Sequence, residues 1–330
     1  KIKISSFTKS KFAVATSSGT SAIHLVLRYF NCSEKDEVLL PSLTYVATAN
    51  AVTYCGATPN FLDIETDSLG VCPKKLQTYI DKTTVKIGSH LFNKKTKRKI
   101  KALIAVHLYG FPCQIKEIRK ICKKNNILLI EDAAEAFGSF LNKKHLGTFG
   151  DAGILSFNGN KPITCGSGGA ILVNNKTMSR RLKHLSTHAK KNSLYDHVHD
   201  EIGYNYRMNN LSAAVGCAQI ENIKKILLAK RKNFMWYQKI FKKLKYVKIL
   251  KEPKFSKTNY WLITALLENK KIKNKLLKKL KPEGYGLRTT WRPLHSLKIY
   301  KHCPKDTMKN SNNFFEMAIN FPSSPKINYK

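Results

Sequence analysis

Ile127-Leu128-Leu129-Ile130-Glu131-Asp132-Ala133-Ala134-Glu135 is the stretch from which the fold can be read. A short run of branched apolar residues, with no polar alternation, is the pattern of a strand buried on both faces of a parallel sheet. Open α/β sheets place ligands at the carboxyl ends of such strands, and this one ends in acids. Downstream, Gly153 to Phe157 reads as a second apolar strand; it leads into Asn158-Gly159-Asn160-Lys161 and the glycine-rich turn Gly166-Ser167-Gly168-Gly169. Upstream, apolar Phe12 to Ala15 precedes Thr16-Ser17-Ser18-Gly19-Thr20-Ser21, and Ala22 to Leu27 then has the apolar density of a buried helix start.

Free amides at a helix N-terminus, helped by Gly19 and the hydroxyls of Thr20 and Ser21, bind a phosphate dianion without a basic side chain. The same cluster also reads as a plain N-cap. An acid at a strand end, a lysine after a later strand and a phosphate turn together outline a pyridoxal phosphate site. In that chemistry the lysine amine bonds the cofactor aldehyde and, once displaced by substrate, moves the Cα proton. Asp132 would keep the pyridine nitrogen protonated, and Tyr45 in Pro41-Ser42-Leu43-Thr44-Tyr45 is the candidate to stack on the ring. Taken singly, Asp132 also reads as a capping acid and Tyr45 as core.

Ser18-Gly19-Thr20, Glu131 to Glu135, Ser156-Phe157 through Lys161 to Gly169, and Gly203-Tyr204-Asn205-Tyr206-Arg207-Met208 carry a resemblance to the sugar-nucleotide aminotransferases of the DegT/DnrJ/StrS type. It covers nearly the whole chain. A finer resemblance, to the LegC type (UDP-4-keto-6-deoxy-HexNAc 4-aminotransferases of legionaminic acid and bacillosamine pathways), rests on five stretches. They are Thr48-Ala49-Asn50-Ala51, Ser156 to Lys161, His199 to Arg207, Asn259-Tyr260-Trp261-Leu262 and Asn320-Phe321-Pro322-Ser323-Ser324.

The resemblance implies an α/β chain of the PLP-dependent transferase fold type I, aspartate aminotransferase-like. Its large domain would hold a mostly parallel seven-stranded sheet, and a small C-terminal α/β domain would follow. By the same resemblance Lys161 bonds the cofactor, Asp132 pairs with the pyridine nitrogen, and Glu135 approaches the ring hydroxyl, where many relatives have glutamine. Thr20, Ser21 and Ser156 match phosphate contacts, and Ser18 and Gly19 belong to the same cofactor-binding turn. Asn205, with Arg207 near it, matches a residue that reaches the partner's cofactor phosphate, so the implied assembly is a homodimer with shared active sites. One branch of the family replaces the lysine with histidine and dehydrates; Lys161 favours amino transfer. The implied donor is L-glutamate, leaving 2-oxoglutarate. The implied acceptor is a UDP-linked 2-acetamido-2,6-dideoxy-hexos-4-ulose, giving a 4-amino sugar for surface glycans, with a perosamine-type or 3-amino-type acceptor as the alternative. The chain begins with Lys1, and its first motif arrives well ahead of its place in relatives, so it reads as lacking an N-terminal segment. A cofactor-binding but inactive fragment is therefore a second reading.

A chain of 330 residues can bury a large core, and the expected division is a large domain over 1–232 and a small one over 233–330. A helix capped at Asn209-Asn210 and running from Leu211 towards Ile226 and Leu227 would bridge them. Tyr260 to Leu267 reads as a strand, and Lys271 to Leu280 as a basic amphipathic helix with Ile272, Leu276, Leu277 and Leu280 inward.

Fifty-nine basic against 21 acidic residues give a formal charge of +38. The lysines are scattered, and no helix-turn-helix, zinc-finger or RNP pattern accompanies them, so no specific nucleic-acid partner is expected. A polyanion-binding protein without cofactor function stays as a third reading, and a positive field would also speed capture of anionic substrates. The eight cysteines form no CxxC pair, which suggests a reducing cytoplasm, and no apolar run could span a bilayer. His184 with His188, and His197-Val198-His199-Asp200, lack a third ligand at a recognisable spacing, so no metal is expected. His199, Asp200 and Arg207, and His295 in Trp291-Arg292-Pro293-Leu294-His295, are the candidates for substrate contact; His199 and Asp200 could equally order their loop.

Overall fold

The computed structural model describes residues 1–325. Seven strands form one path in the order Phe12–Thr16, Gly169–Val173, Ala152–Ser156, Leu128–Asp132, Lys99–Val106, Asp36–Pro41, Thr58–Leu62. Only Gly169–Val173 runs against its neighbours; the remaining pairings along the path are parallel. A hairpin of Thr84–Ile87 and His90–Asn93 joins the sheet through Lys99, bringing it to nine strands.

Helices cover both faces, which is why the central strands are apolar without alternation. Ile130 and Ile154 face a core shared with the helices Gly19–Tyr29 and Ala47–Tyr54. Leu129 and Leu103 face the opposite core, closed by Pro73–Thr83 and Ile115–Lys124. The strand runs beyond Ile130 into the acids, where Asp132 still pairs in register with Val106 on one side and Ile154 on the other. That continuation fixes the backbone of Asp132 at the carboxyl edge of the sheet.

The expected bridging helix is two helices, Asn210–Glu221 and Ile223–Phe241. The first is capped by the Asn209 side chain, which accepts from Ser212 N at 2.7 Å. Asn222 breaks the run, and its side chain donates to the Ala218 carbonyl at 3.0 Å instead of leaving the helix to continue unperturbed. The expected seam at 232/233 falls inside the second helix. Its first turns pack Ile223, Ile226 and Leu227 beside Phe137 and Phe157, whereas Phe234, Tyr237 and Phe241 pack with Ile249, Ile263 and Ala265 of the C-terminal part.

There a second, antiparallel sheet runs in the order Val247–Ile249, Ile263–Leu267, Ala318–Phe321, Arg288–Thr289. The strand expected from Tyr260 starts only at Ile263. Tyr260 sits at φ 45°, in a turn where Trp261 N donates to Asn259 Oδ1 at 2.9 Å. Helix Lys270–Leu280 lays Ile272, Leu276, Leu277 and Leu280 over Leu267, Leu287 and Ile319. Residues 326–330 of the expected C-terminal domain lie outside the described residues. All eight cysteines are free thiols, and no helix among the described residues is long and apolar enough to cross a membrane.

Candidate active site

A cavity of ≈ 280 Å³ opens at the carboxyl edge of the large sheet, where Asp132, Glu135, Lys161, Ser156 and the start of helix Gly19–Tyr29 converge. At that helix start Ser18 and Ser21 form a capping box: Ser18 Oγ accepts from Ser21 N and Ser21 Oγ from Ser18 N, each at 3.0 Å. Ser21 is thereby committed to the cap, while Ser18, Gly19 and Thr20 line the cavity. Two glycines allow the close approach. A Cβ on Gly169 would lie 2.4 Å from the Ser18 carbonyl oxygen, and one on Gly19 would lie 3.1 Å from Ser156 Cβ. The helix N-terminus is thus seated against the ends of two strands, with its free amides at the cavity wall.

Asp132 is buried, with Oδ2 accepting from Thr48 Oγ1 at 2.8 Å and Oδ1 from Ala134 N at 3.1 Å. Lys161 enters from the turn after Ala152–Ser156, held by its own N–H on the Asn158 carbonyl at 3.0 Å. Its Nζ lies 3.6 Å from Glu135 Oε1 and 4.0 Å from the centre of the Trp261 ring. Glu135 also accepts from Tyr109 N at 2.7 Å. Tyr109 reaches that position at φ 55°, a left-handed conformation that is costly for a bulky side chain. Burial pushes the Glu135 carboxyl up to about 7, against the pull of the Lys161 charge and the Tyr109 amide.

That shift has a sign. The raised value favours the folded state fully below the unfolded carboxyl's 4.5, and the advantage is lost as pH rises through about 7. Glu135→Gln is expected to gain stability relative to the wild-type chain by about 3 kcal/mol between pH 4.5 and 8, read from urea unfolding of cofactor-free protein across that range. A difference that stays constant with pH would contradict this.

The far wall is aromatic. Trp261 and Trp291 stack at 6.2 Å, Tyr109 lies 5.3 Å from Trp291, and Tyr45, half exposed at the mouth, lies 5.9 Å from it. Trp261, Trp291, Thr44 and Thr48 were not assigned roles from the sequence, although Thr48 and Trp261 stand in stretches that carry the finer resemblance. Aromatic residues in a C-terminal region look like core until the chain is folded back over the sheet. His295, four residues after Trp291, lies outside the cavity lining. Its Nδ1 is 2.6 Å from Ser42 Oγ, tying the C-terminal part to the end of strand Asp36–Pro41.

The remaining candidates lie elsewhere. His199 Nδ1 meets the His188 carbonyl at 2.7 Å, and Asp200 meets His184 Nε2 at 2.7 Å, so both order their loop in this chain. Asn205 and Arg207 border a different opening, of ≈ 520 Å³, with Lys190 and Lys191. Arg207 also borders a cavity of ≈ 390 Å³ beside helix Asn210–Glu221, which holds neither Lys161 nor the carboxylates around it.

An amide cradle at a helix start, a buried carboxylate with hydrogen-bonded oxygens and a lysine amine facing the same ligand-sized space fit pyridoxal phosphate. Residues 2–330 match the DegT/DnrJ/EryC1/StrS aminotransferase family, and the chain belongs to it. It is a pyridoxal phosphate-dependent sugar aminotransferase. The chain is 36% identical over 329 residues to a GDP-perosamine synthase of Escherichia coli O157:H7, covering 96% of this chain and 82% of that protein. It is 32% identical over 324 residues to a UDP-4-amino-4,6-dideoxy-N-acetyl-beta-L-altrosamine transaminase of Campylobacter jejuni, covering 97% and 82%. Among solved structures, a DegT DnrJ EryC1 StrS aminotransferase from Brucella abortus superposes with a TM-score of 0.89 at 26% identity, covering 99% of this chain and 84% of that one.

Proposed function

We propose that the chain aminates C4 of a nucleotide-linked 4-keto-6-deoxyhexose, with L-glutamate as donor. The observation that carries the chemistry is the convergence of Lys161, Asp132 and Glu135 with the helix start at Ser18 in one cavity. Bound pyridoxal phosphate supplies an electron sink for the carbon whose proton is removed. Around it, Lys161 would be the base and the covalent anchor, and Asp132 would hold a proton on the ring nitrogen. Thr48 and the Ala134 amide, both donating to Asp132, keep its carboxylate turned towards that task. Ser18, Gly19, Thr20 and Ser156 would seat the phosphate, with Ser21 keeping the cap in shape. Glu135 would approach the ring hydroxyl, and Tyr45, at the cavity mouth, would cover the ring.

For the acceptor, the stretches resembling the LegC type favour a UDP-linked 2-acetamido-2,6-dideoxy-hexos-4-ulose. The higher identity to a GDP-perosamine synthase supports a second reading, a GDP-linked acceptor. Both place the amine on C4 of a 6-deoxy ring.

The proposed assembly is a homodimer acting in the cytoplasm. Helix Asn210–Glu221 buries none of its residues within one chain, and Leu211 and Val215 are 83% and 49% exposed, an apolar surface suited to a second copy. Asn205 stands outside its own chain's cavity, as a residue serving a partner's phosphate would.

The test begins with the absorbance spectrum of the protein with pyridoxal phosphate, before and after excess glutamate. A visible band that gives way to a near-ultraviolet one is the expected result. UDP- and GDP-linked 4-keto-6-deoxy sugars are then offered to the aminated form, and return of the visible band identifies the acceptor. A band that glutamate leaves unmoved would overturn the donor assignment, and conversion of neither sugar would overturn the acceptor class.

A further inference from the structure

We propose that Trp261 is a positioning residue for the reaction, through which the C-terminal part of the chain holds the aim of Lys161; the inference rests on the assignment of Lys161 made above. The lysine ammonium lies 4.0 Å from the centre of the indole ring, within reach of its electron-rich face. With Glu135 Oε1 at 3.6 Å, the indole gives Nζ two walls.

Trp261 is itself fixed. It is buried, and its backbone N–H donates to Asn259 Oδ1 at 2.9 Å. Its indole N–H donates at 2.6 Å to the carbonyl of Asn160, the residue before Lys161, so the same side chain grips the turn that carries the lysine. Its carbonyl accepts from Ser323 Oγ at 2.8 Å and from Lys230 Nζ at 3.1 Å. Lys230 is a buried amine that also donates to the Ser323 carbonyl at 2.9 Å, and burial lowers it to about 8. Burying an amine is costly unless its donors find acceptors, and here the Trp261 and Ser323 carbonyls, from two separate segments, take two of them. The second anchor runs through Asn259, whose amide donates to the carbonyls of Glu135 at 2.8 Å and Phe137 at 3.1 Å. One turn of the C-terminal part therefore holds both walls of the lysine: Trp261 directly, and Glu135 through its backbone.

A lysine stem is flexible, and the turn bearing Lys161 includes Gly159. Without the indole, Nζ would spend its time among orientations from which it cannot reach a carbon in the cavity. The loss would fall on the rate of steps that use the amine, and glutamate binding would be spared.

The test compares Trp261→Leu, Trp261→Phe and Ser323→Ala in the full chain, with Lys161→Ala as control. Two quantities are read: the rate at which the visible band rises when pyridoxal phosphate is added to cofactor-free protein, and kcat and KM for glutamate in the first half-reaction. Trp261→Leu should slow band formation and kcat by about tenfold each, with KM within about twofold. Trp261→Phe keeps a ring face and should stay within about threefold of wild type. Ser323→Ala, which loosens the turn without touching the indole, should slow band formation by about twofold and decides the matter if Trp261→Leu fails to fold. Wild-type rates in Trp261→Leu, or in Ser323→Ala where only that variant folds, would overturn the proposal. So would an effect confined to KM, or a Trp261→Phe as slow as Trp261→Leu. Should Lys161→Ala still form the band, the assignment of Lys161 fails; should it lose the band while Trp261→Leu behaves as wild type, only the role of Trp261 fails.

Discussion

Lys161→Ala is expected to remove the visible cofactor band and lower kcat for amino transfer by at least about 10⁴-fold, some 5 kcal/mol of barrier, because covalent anchor and base vanish together. The protein should remain folded. Lys161 contributes no strand residue; its side chain is 11% exposed and meets Glu135 at 3.6 Å and the Trp261 ring. Removing the amine leaves Glu135 buried without its neighbouring cation, so that carboxyl stays protonated to higher pH than in the wild-type chain, and a neutral carboxyl costs the fold little. The amide cradle at Ser18 to Thr20 is untouched, so the variant should still hold pyridoxal phosphate reversibly, seen as quenching of tryptophan fluorescence that dialysis undoes. A stable variant that binds cofactor without the band separates loss of chemistry from loss of fold. Residual turnover above that level would move the base to another group.

How much of this was legible in the sequence depended on how local each cause is. Asp132, Lys161 and the Ser18 turn each follow an apolar run that ends at the same edge of a parallel sheet, so position and chemistry could be read together. The capping reading and the phosphate reading of Ser18 to Ser21 turned out to be divided among the residues: Ser21 is occupied in the cap, whereas Ser18, Gly19 and Thr20 line the cavity. Trp261, Trp291 and Thr48 were not legible as cavity walls, since their meaning arises only when distant segments close over the sheet. Nor was the break at Asn222, where a single side chain bonding its own helix outweighs an uninterrupted helical pattern. Glu131 is the sharpest case. It stands next to Asp132 in the same strand, and alternation sends the two carboxylates to opposite sides of the sheet. Only the side facing the cavity could be guessed.

Glu131→Gln is expected to destabilise the fold by about 3–5 kcal/mol while leaving the cavity chemistry in place in whatever protein remains folded. The carboxylate is fully buried and takes four hydrogen bonds. His107 Nε2 and Gly147 N approach Oε2, each at 2.9 Å, and Phe149 N and Gly150 N approach Oε1 at 2.5 and 2.6 Å. His107 Nδ1 accepts from Cys113 N at 3.3 Å, so Nε2 bears the proton given to Glu131, and the site is a carboxylate among four donors. Burial alone would push the Glu131 carboxyl up; the His107 hydrogen bond, with the Gly150 and Gly147 amides, brings it below its ordinary value. Glutamine keeps one acceptor oxygen and turns an NH₂ towards two N–H groups that have nowhere else to go. Whichever way the amide is turned, a pair of buried donors loses its acceptor. The depressed value also fixes the pH signature: its contribution is complete above the unfolded carboxyl's 4.5 and is lost as pH falls through the folded value. Urea unfolding should therefore find wild type and variant far apart at pH 7 and converging as the buffer is taken below pH 4, whereas equal stabilities at pH 7 would mean that the strand's second acid does not hold the Gly147 to Gly150 loop to the sheet.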